Sequence, residues 1–145
     1  MAGMHSTNYV NTFIEVAPDS PAAGACVPPE RATASVAERT YRMISEAPYR
    51  YTSDDVIFTV WADRRGIPEP DRAAARAEFF ATGQPCLRSS DLAKRYGWGI
   101  HADAAGRVAL VGVGSPEYAR LAAGEAPDGT PVTVTRAMRS SRRGG

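Results

Sequence analysis

The sequence is poor in the features that announce a specialised chain. Its 145 residues contain two cysteines, Cys26 and Cys86, and two histidines, His5 and His101. Neither set has the spacing of a metal-ligand motif, and two isolated thiols do not make a disulfide framework, so both cysteines are read as free. No metal site and no cofactor is expected. No stretch approaches the run of about 18 apolar residues that spans a bilayer. Residues 1–10 lack the basic and apolar regions of a signal peptide, which makes the expected location the cytoplasm. Charge of one sign is not in excess either: 17 basic side chains face 16 acidic ones, for a net charge of +1. The molecule therefore has no overall field that would gather it onto nucleic acid or an anionic membrane, and such binding would need a local patch. A phosphate-cradling glycine loop is missing too, because Gly112 and Gly114 do not precede a capped helix with the further glycine that loop requires.

What is present describes an ordinary folded domain. Hydrophobic residues make up 43% and charged residues 23% of the chain, and a chain of this length can bury a core without staples. The expected organisation is one domain over residues 11–138, a flexible segment over 1–10 and a flexible basic tail over 139–145. Residues 11–16 are rich in β-favouring types and stop before Pro18. Residues 17–34 carry four prolines and no hydrophobic period, which reads as a long surface loop able to cover something. Ser35 with Glu38 forms a capping-box pattern opening a helix that Pro48 ends.

Residues 52–66 are ambiguous, since residues 56–61 are β-branched and aromatic enough for a buried strand. The ends decide for a helix. Ser53 can cap it, Asp54 and Asp55 suit the positive end of the dipole, Arg64 and Arg65 suit the negative end, and Gly66 can close it in left-handed geometry. A further helix should start near residues 68–70 and run through an alanine-rich stretch to Gly83, and a short one should occupy residues 91–96. Residues 98–103 and 107–113 alternate as a β-hairpin, a short helix follows from Ser115 to its stop at Gly124, and residues 131–138 form the last strand. The fold class is α+β: an antiparallel sheet of about four strands with helices packed mainly on one face.

Four strings in this order, NTFIEVA at residues 11–17, YTSDDV at 51–56, GQPCLR at 83–88 and KRYGWGIH at 94–101, resemble a family of uncharacterised bacterial proteins of similar length. The likeness runs from residue 11 to about residue 140. It implies a bacterial, cytoplasmic protein and carries over no activity and no site residue.

Reactive side chains are densest over residues 83–103. Cys86 and His101 could form a thiolate and imidazolium pair with Asp103 or Asp91 orienting the ring, as a cysteine-dependent enzyme requires. The plainer alternative is a buried thiol and a strand histidine that faces solvent or the floor of a cleft. Alternation puts Trp98, Ile100 and Ala102 on one face of their strand, with Gly99, His101 and Asp103 on the other. Arg88, Lys94, Arg95, Arg107, Arg136, Arg139, Arg142 and Arg143 could converge into a basic surface. A winged-helix arrangement for nucleic acid would use residues 91–96 as recognition helix and 103–106 as wing. Arg136 either passes the sheet edge into solvent or meets an acid, for which Asp54 and Asp55 are candidates. The leading expectation is a small binding domain for an anionic small molecule or a protein partner. Its ligand would meet Arg88, Lys94, Arg95, Trp98, His101 and Arg136 in a pocket between the hairpin and residues 86–96.

Overall fold

A computed structural model describes residues 5–139. Strand β1 (Thr12–Glu15) is followed by helices α1 (Val36–Glu46), α2 (Ser53–Arg65), α3 (Arg72–Phe79) and α4 (Asp91–Lys94). Strands β2 (Trp98–Ala102) and β3 (Val108–Gly112), helix α5 (Pro116–Ala122) and strand β4 (Thr133–Arg136) complete the order. Two single 3-10 turns, Glu69–Asp71 and Leu87–Ser89, precede α3 and α4. No described helix is long and apolar enough to cross a membrane.

The α+β reading holds, with one change of direction in the sheet. Strand order is β3-β2-β1-β4. The β2–β3 hairpin and the β1–β2 pair are antiparallel, but β4 lies parallel to β1, with Thr12 opposite Thr133 and Glu15 opposite Arg136. The reason is the connection. After β3 the chain passes through α5 and returns on the far side of β1, and a crossover through a helix delivers a strand in the same direction.

Register sorts the side chains. Ile14, Ile100 and Leu110 form one row, Ala102 and Val108 another on the same face, and these pack with Ile44, Val56, Val60 and Ala93 of α1, α2 and α4. The intervening row, Phe13, His101, Ala109 and Val134, faces the other way. There Phe13 and Val111 meet Leu121 of α5, Ala126 and Val132. Three helices thus cover one face, α3 packs outside them against α2 through Phe58, Ala62 and Phe80, and α5 alone covers part of the other.

Local chemistry sets the helix ends. In α2 the cap is Thr52, one residue earlier than Ser53: its hydroxyl accepts from the Asp55 amide at 3.2 Å while the Asp55 carboxylate takes the Thr52 amide at 3.1 Å. Gly66 closes the helix at φ 64°. In α1 only half of the capping box forms. Ser35 accepts from the Glu38 amide, but the Glu38 carboxylate turns to Arg42 at 2.6 Å, an i, i+4 pair. Helix α3 stops at Phe79, short of Gly83, because the Gln84 side chain caps the Phe79 carbonyl at 2.8 Å and Phe80 turns fully into the core.

Residues 5–10 and the long loop over residues 17–34 both have definite partners. Over residues 5–10, the Thr7 amide and hydroxyl both donate to Asp54 at 2.7 Å, Ser6 donates to the same carboxylate, and the Asp54 amide donates to the Asn8 side chain. A buried carboxylate at the start of α2 is an acceptor that the preceding chain can satisfy. In the long loop over 17–34, Pro28 is fully buried, the Cys26 amide donates to Tyr96, and Trp98 Nε1 donates to the Cys26 carbonyl at 2.8 Å. What this loop covers is the turn into β2. Gly97, at φ 78°, has room for no Cβ, which would stand 2.5 Å from the Gly24 carbonyl oxygen. Residues 1–4 and 140–145, including most of the expected basic tail, lie outside the described residues.

Candidate functional site

Two separate hollows stand out among the described residues, one on each side of the sheet. The larger is an apolar groove of about 690 Å³ between α2, α3 and residues 82–90. Helical spacing builds it: Ile57 and Trp61, then Val60 and Arg64, stand in adjoining i, i+4 rows on α2, and Ala75 and Phe79 form a facing row on α3. The Trp61 and Phe79 rings lie 4.7 Å apart, and the Arg65 guanidinium covers the Trp61 ring at 4.8 Å. The two rings, tilted by 42°, form an apolar wall. Arg64 and Glu78 also line the groove, and neither has an ion-pair partner among the described residues. Cys86 sits at its edge, with its sulfur 3.5 Å from the Tyr9 hydroxyl. The thiol's hydrogen bond, with burial, pushes the Tyr9 phenol up, so this partner stays protonated and is no base for the thiol.

The smaller hollow, about 440 Å³, lies on the α5 side around His101. Its geometry comes from an unusual piece of backbone. After α1 the chain runs beside the edge strand β3, with the Tyr49 amide donating to Val108 and the Val108 amide donating to Tyr51. Tyr49 takes φ 58° there, which sends its phenol over Ala109, the short neighbour of His101, to reach His101 Nδ1 at 2.8 Å. Asn11, at φ 45°, also lines the hollow, so the two non-glycine residues with positive φ among those described share one wall. Backbone held in that region is costly and tends to cluster where side chains must be aimed.

His101 is 4% exposed, and its Nε2 is buried without a partner among the described residues. Burial pushes the imidazole pKa down, against a smaller upward pull from Asp103 and Asp128, so the ring is neutral near pH 7. Burial raises Tyr49, and Asp103, Glu117 and Asp128 raise it further, which keeps the phenol protonated. The Thr130 amide and hydroxyl hold the exposed Asp128 carboxyl below the usual range. Asp103 is engaged in the hairpin turn, accepting from the Ala105 and Arg107 amides.

The residues singled out in the sequence are divided between these places. Cys86 borders the groove on the helical side and His101 the hollow on the other, with no partner in common, so the proposed catalytic pair is not assembled. Alternation along the strands is the cause, since His101 points away from the face on which residues 86–94 pack. Arg88 donates to the Arg136 carbonyl at 2.7 Å and so ties its turn to the end of β4. Arg136 itself pairs with Glu15 at 3.4 Å. Asp54 and Asp55 are already used by Thr7 and Arg76. Lys94 ends α4, and Arg95 pairs loosely with Asp91 at 3.8 Å. Trp98 is occupied with Cys26 and packs 5.5 Å from the Tyr41 ring. None of Arg88, Lys94, Arg95, Trp98 and Arg136 lines either hollow. The expected recognition helix, α4, is four residues long with Leu92 and Ala93 buried, and the expected wing is the turn between β2 and β3, where Ala104 and Ala105 are exposed. Among the described residues, no group of three or more His, Cys, Asp or Glu is placed to hold a metal ion.

A family model matches residues 4–143, nearly the whole chain. The chain belongs to DUF6157, a family of unknown function. No curated protein and no solved structure matches this DUF6157 chain significantly.

Trp61 and Phe79 are not singled out by the sequence as site residues, and Arg64 is marked there only as a partner of the helix dipole. The signal that could have marked them is the facing of two apolar rows on consecutive helices, 57/61 and 75/79, joined by a short turn. Tyr49 had no such signal, because its reach to His101 depends on a left-handed residue that the sequence does not announce.

Proposed function

We propose that this DUF6157 protein is a small-molecule-binding domain whose ligand lies in the groove between α2 and α3. The observation that carries the reading is the groove itself: about 690 Å³, walled by the tilted Trp61 and Phe79 rings, with Arg64 among its polar groups. That size falls within the range of ligand pockets, which are mostly apolar with a few orienting polar groups. The fitting ligand has a flat apolar body and a carboxylate or sulfonate that Arg64 meets, while Glu78 disfavours a second acid. This narrows the anionic ligand expected from the sequence and moves it to a different surface. A bacterial cytoplasm is the setting we propose, on the strength of the strings shared with bacterial proteins.

The test uses 8-anilinonaphthalene-1-sulfonate as fluorescent probe and dodecanoate as competitor. Saturable fluorescence that dodecanoate displaces is expected, with affinity falling about tenfold in Arg64→Gln, a loss of about 1.4 kcal/mol. Ala75→Trp, which fills the groove, should abolish the signal. Unchanged binding in both variants would remove the proposal.

A further inference from the structure

We propose a second binding site, for a small organic cation such as a primary ammonium ion, in the hollow formed by Tyr49, His101, Asp103 and Asp128. It is distinct from the groove and does not depend on the reading given for it.

The charge of the hollow sets the class of ligand. Among the described residues its lining contains two acidic side chains, Asp103 and Asp128, and no lysine or arginine. Asp128 is held ionised by the Thr130 amide and hydroxyl, and each carboxylate spends one oxygen on its own turn, Oδ1 in both cases. Ala104, Ala105, Ala126 and Pro127 supply an apolar lining for a short hydrocarbon stem. The Tyr49 and His101 rings meet edge to face, with centroids 5.5 Å apart, and aromatic faces attract cations. An anion would meet only repulsion from the two carboxylates.

The second and independent sign is the orphaned imidazole nitrogen. His101 is 4% exposed, lines the hollow and satisfies Nδ1 through Tyr49, yet Nε2 has no partner. Buried polar atoms in folded proteins are almost always bonded, and one left over asks for an explanation. An ammonium supplies it. Nε2 is itself closed to solvent in this conformation, so the ligand meets it only as the ring turns toward the hollow; with the ring proton on Nδ1, Nε2 is then the acceptor for an N–H of the ligand. The fold has invested in this geometry: Asn11 and Tyr49 both hold positive φ to border the hollow. Ligand binding then selects one tautomer of a neutral ring, and protonation of that ring repels the ligand.

Titration of the full chain with butylammonium chloride, read by long-range ¹H–¹⁵N NMR of the imidazoles, tests this. The expected result is a saturable shift of the His101 nitrogens toward the Nδ1–H pattern, while His5 serves as internal control and does not move. Butyrate should produce no shift. Asp103→Asn with Asp128→Asn keeps the turn acceptors, removes both charges and should weaken binding at least about tenfold. No saturable shift at His101, an equal response to butyrate, or unchanged affinity in the double variant would each overturn the proposal.

Discussion

The two hollows lie on opposite sides of one sheet and are built by opposite means. The groove is made from regular helices in unstrained geometry, and its walls are apolar residues at i, i+4 spacing that face one another across a turn. The hollow around His101 is made from irregular backbone, with two positive-φ residues and a buried imidazole carrying one bond where it could make two. Periodicity suffices to shape an apolar cavity, because any side chain of the right size in the row will serve. Aiming a phenol at one nitrogen requires a specific backbone position, and stability is spent to keep it there.

The largest expected effect separates the two regions by packing. Phe80 is fully buried beneath the groove with Phe58 and Ala62. Phe80→Ala should cost about 3–5 kcal/mol in urea denaturation and abolish groove binding, while the His101 ring resonances stay in place. If those resonances move as much as the groove signals, the regions are one unit and the comparison fails.

Next comes the bond that defines the polar side. Tyr49→Phe removes the hydroxyl from His101 Nδ1 and leaves both ring nitrogens without protein partners. A loss of about 1–3 kcal/mol is expected, the cost of a buried unsatisfied group. No measurable loss would mean that water takes the place of the phenol.

The pH dependence is smaller and confined to one window. The folded pKa of His101 lies below its ordinary value of 6.5, so the unfolded chain takes up the proton first. The associated stability is complete above pH 6.5 and is lost as pH falls below it toward the folded value. Asp55 acts lower. Burial pushes its carboxyl up, but the Thr52 amide and Arg76 outweigh that and hold it below 3.8, so its contribution is lost only below pH 3.8. Unfolding free energies measured between pH 7.5 and 5 should therefore slope in the wild type and flatten in His101→Gln. Equal slopes would assign the proton to another group.

The smallest effect tests the groove side. Arg76 pairs with Asp55 at 2.9 Å, both about a third exposed, and Arg76→Ala should cost less than about 1 kcal/mol because solvent screens such a pair.

Much of the fold was legible because it depends on nearest neighbours in the chain. Gly66 after a dipole-matched run closed α2 where expected, and alternation over residues 98–113 predicted the hairpin and the face of Ile100. The direction of β4 was not legible, since it follows from the path of α5 across the sheet. The candidate site residues are not gathered in one place, for a related reason. Density of reactive types along residues 83–103 treated neighbours in sequence as neighbours in space, yet Cys86 and His101 were sent to different sides by the parity of one strand and the packing of another segment.

By itself, then, the order of residues determined the elements and the α+β class, because hydrogen bonds three or four residues apart and alternation along a strand act locally. Only the tertiary structure decided that Trp61 meets Phe79, that Tyr49 reaches His101 across Ala109, and that Asp54 ties down the chain at Thr7. Those contacts join segments whose separation in sequence carries no signal of their meeting, and they form because packing a sheet between unequal helical layers brings those segments together.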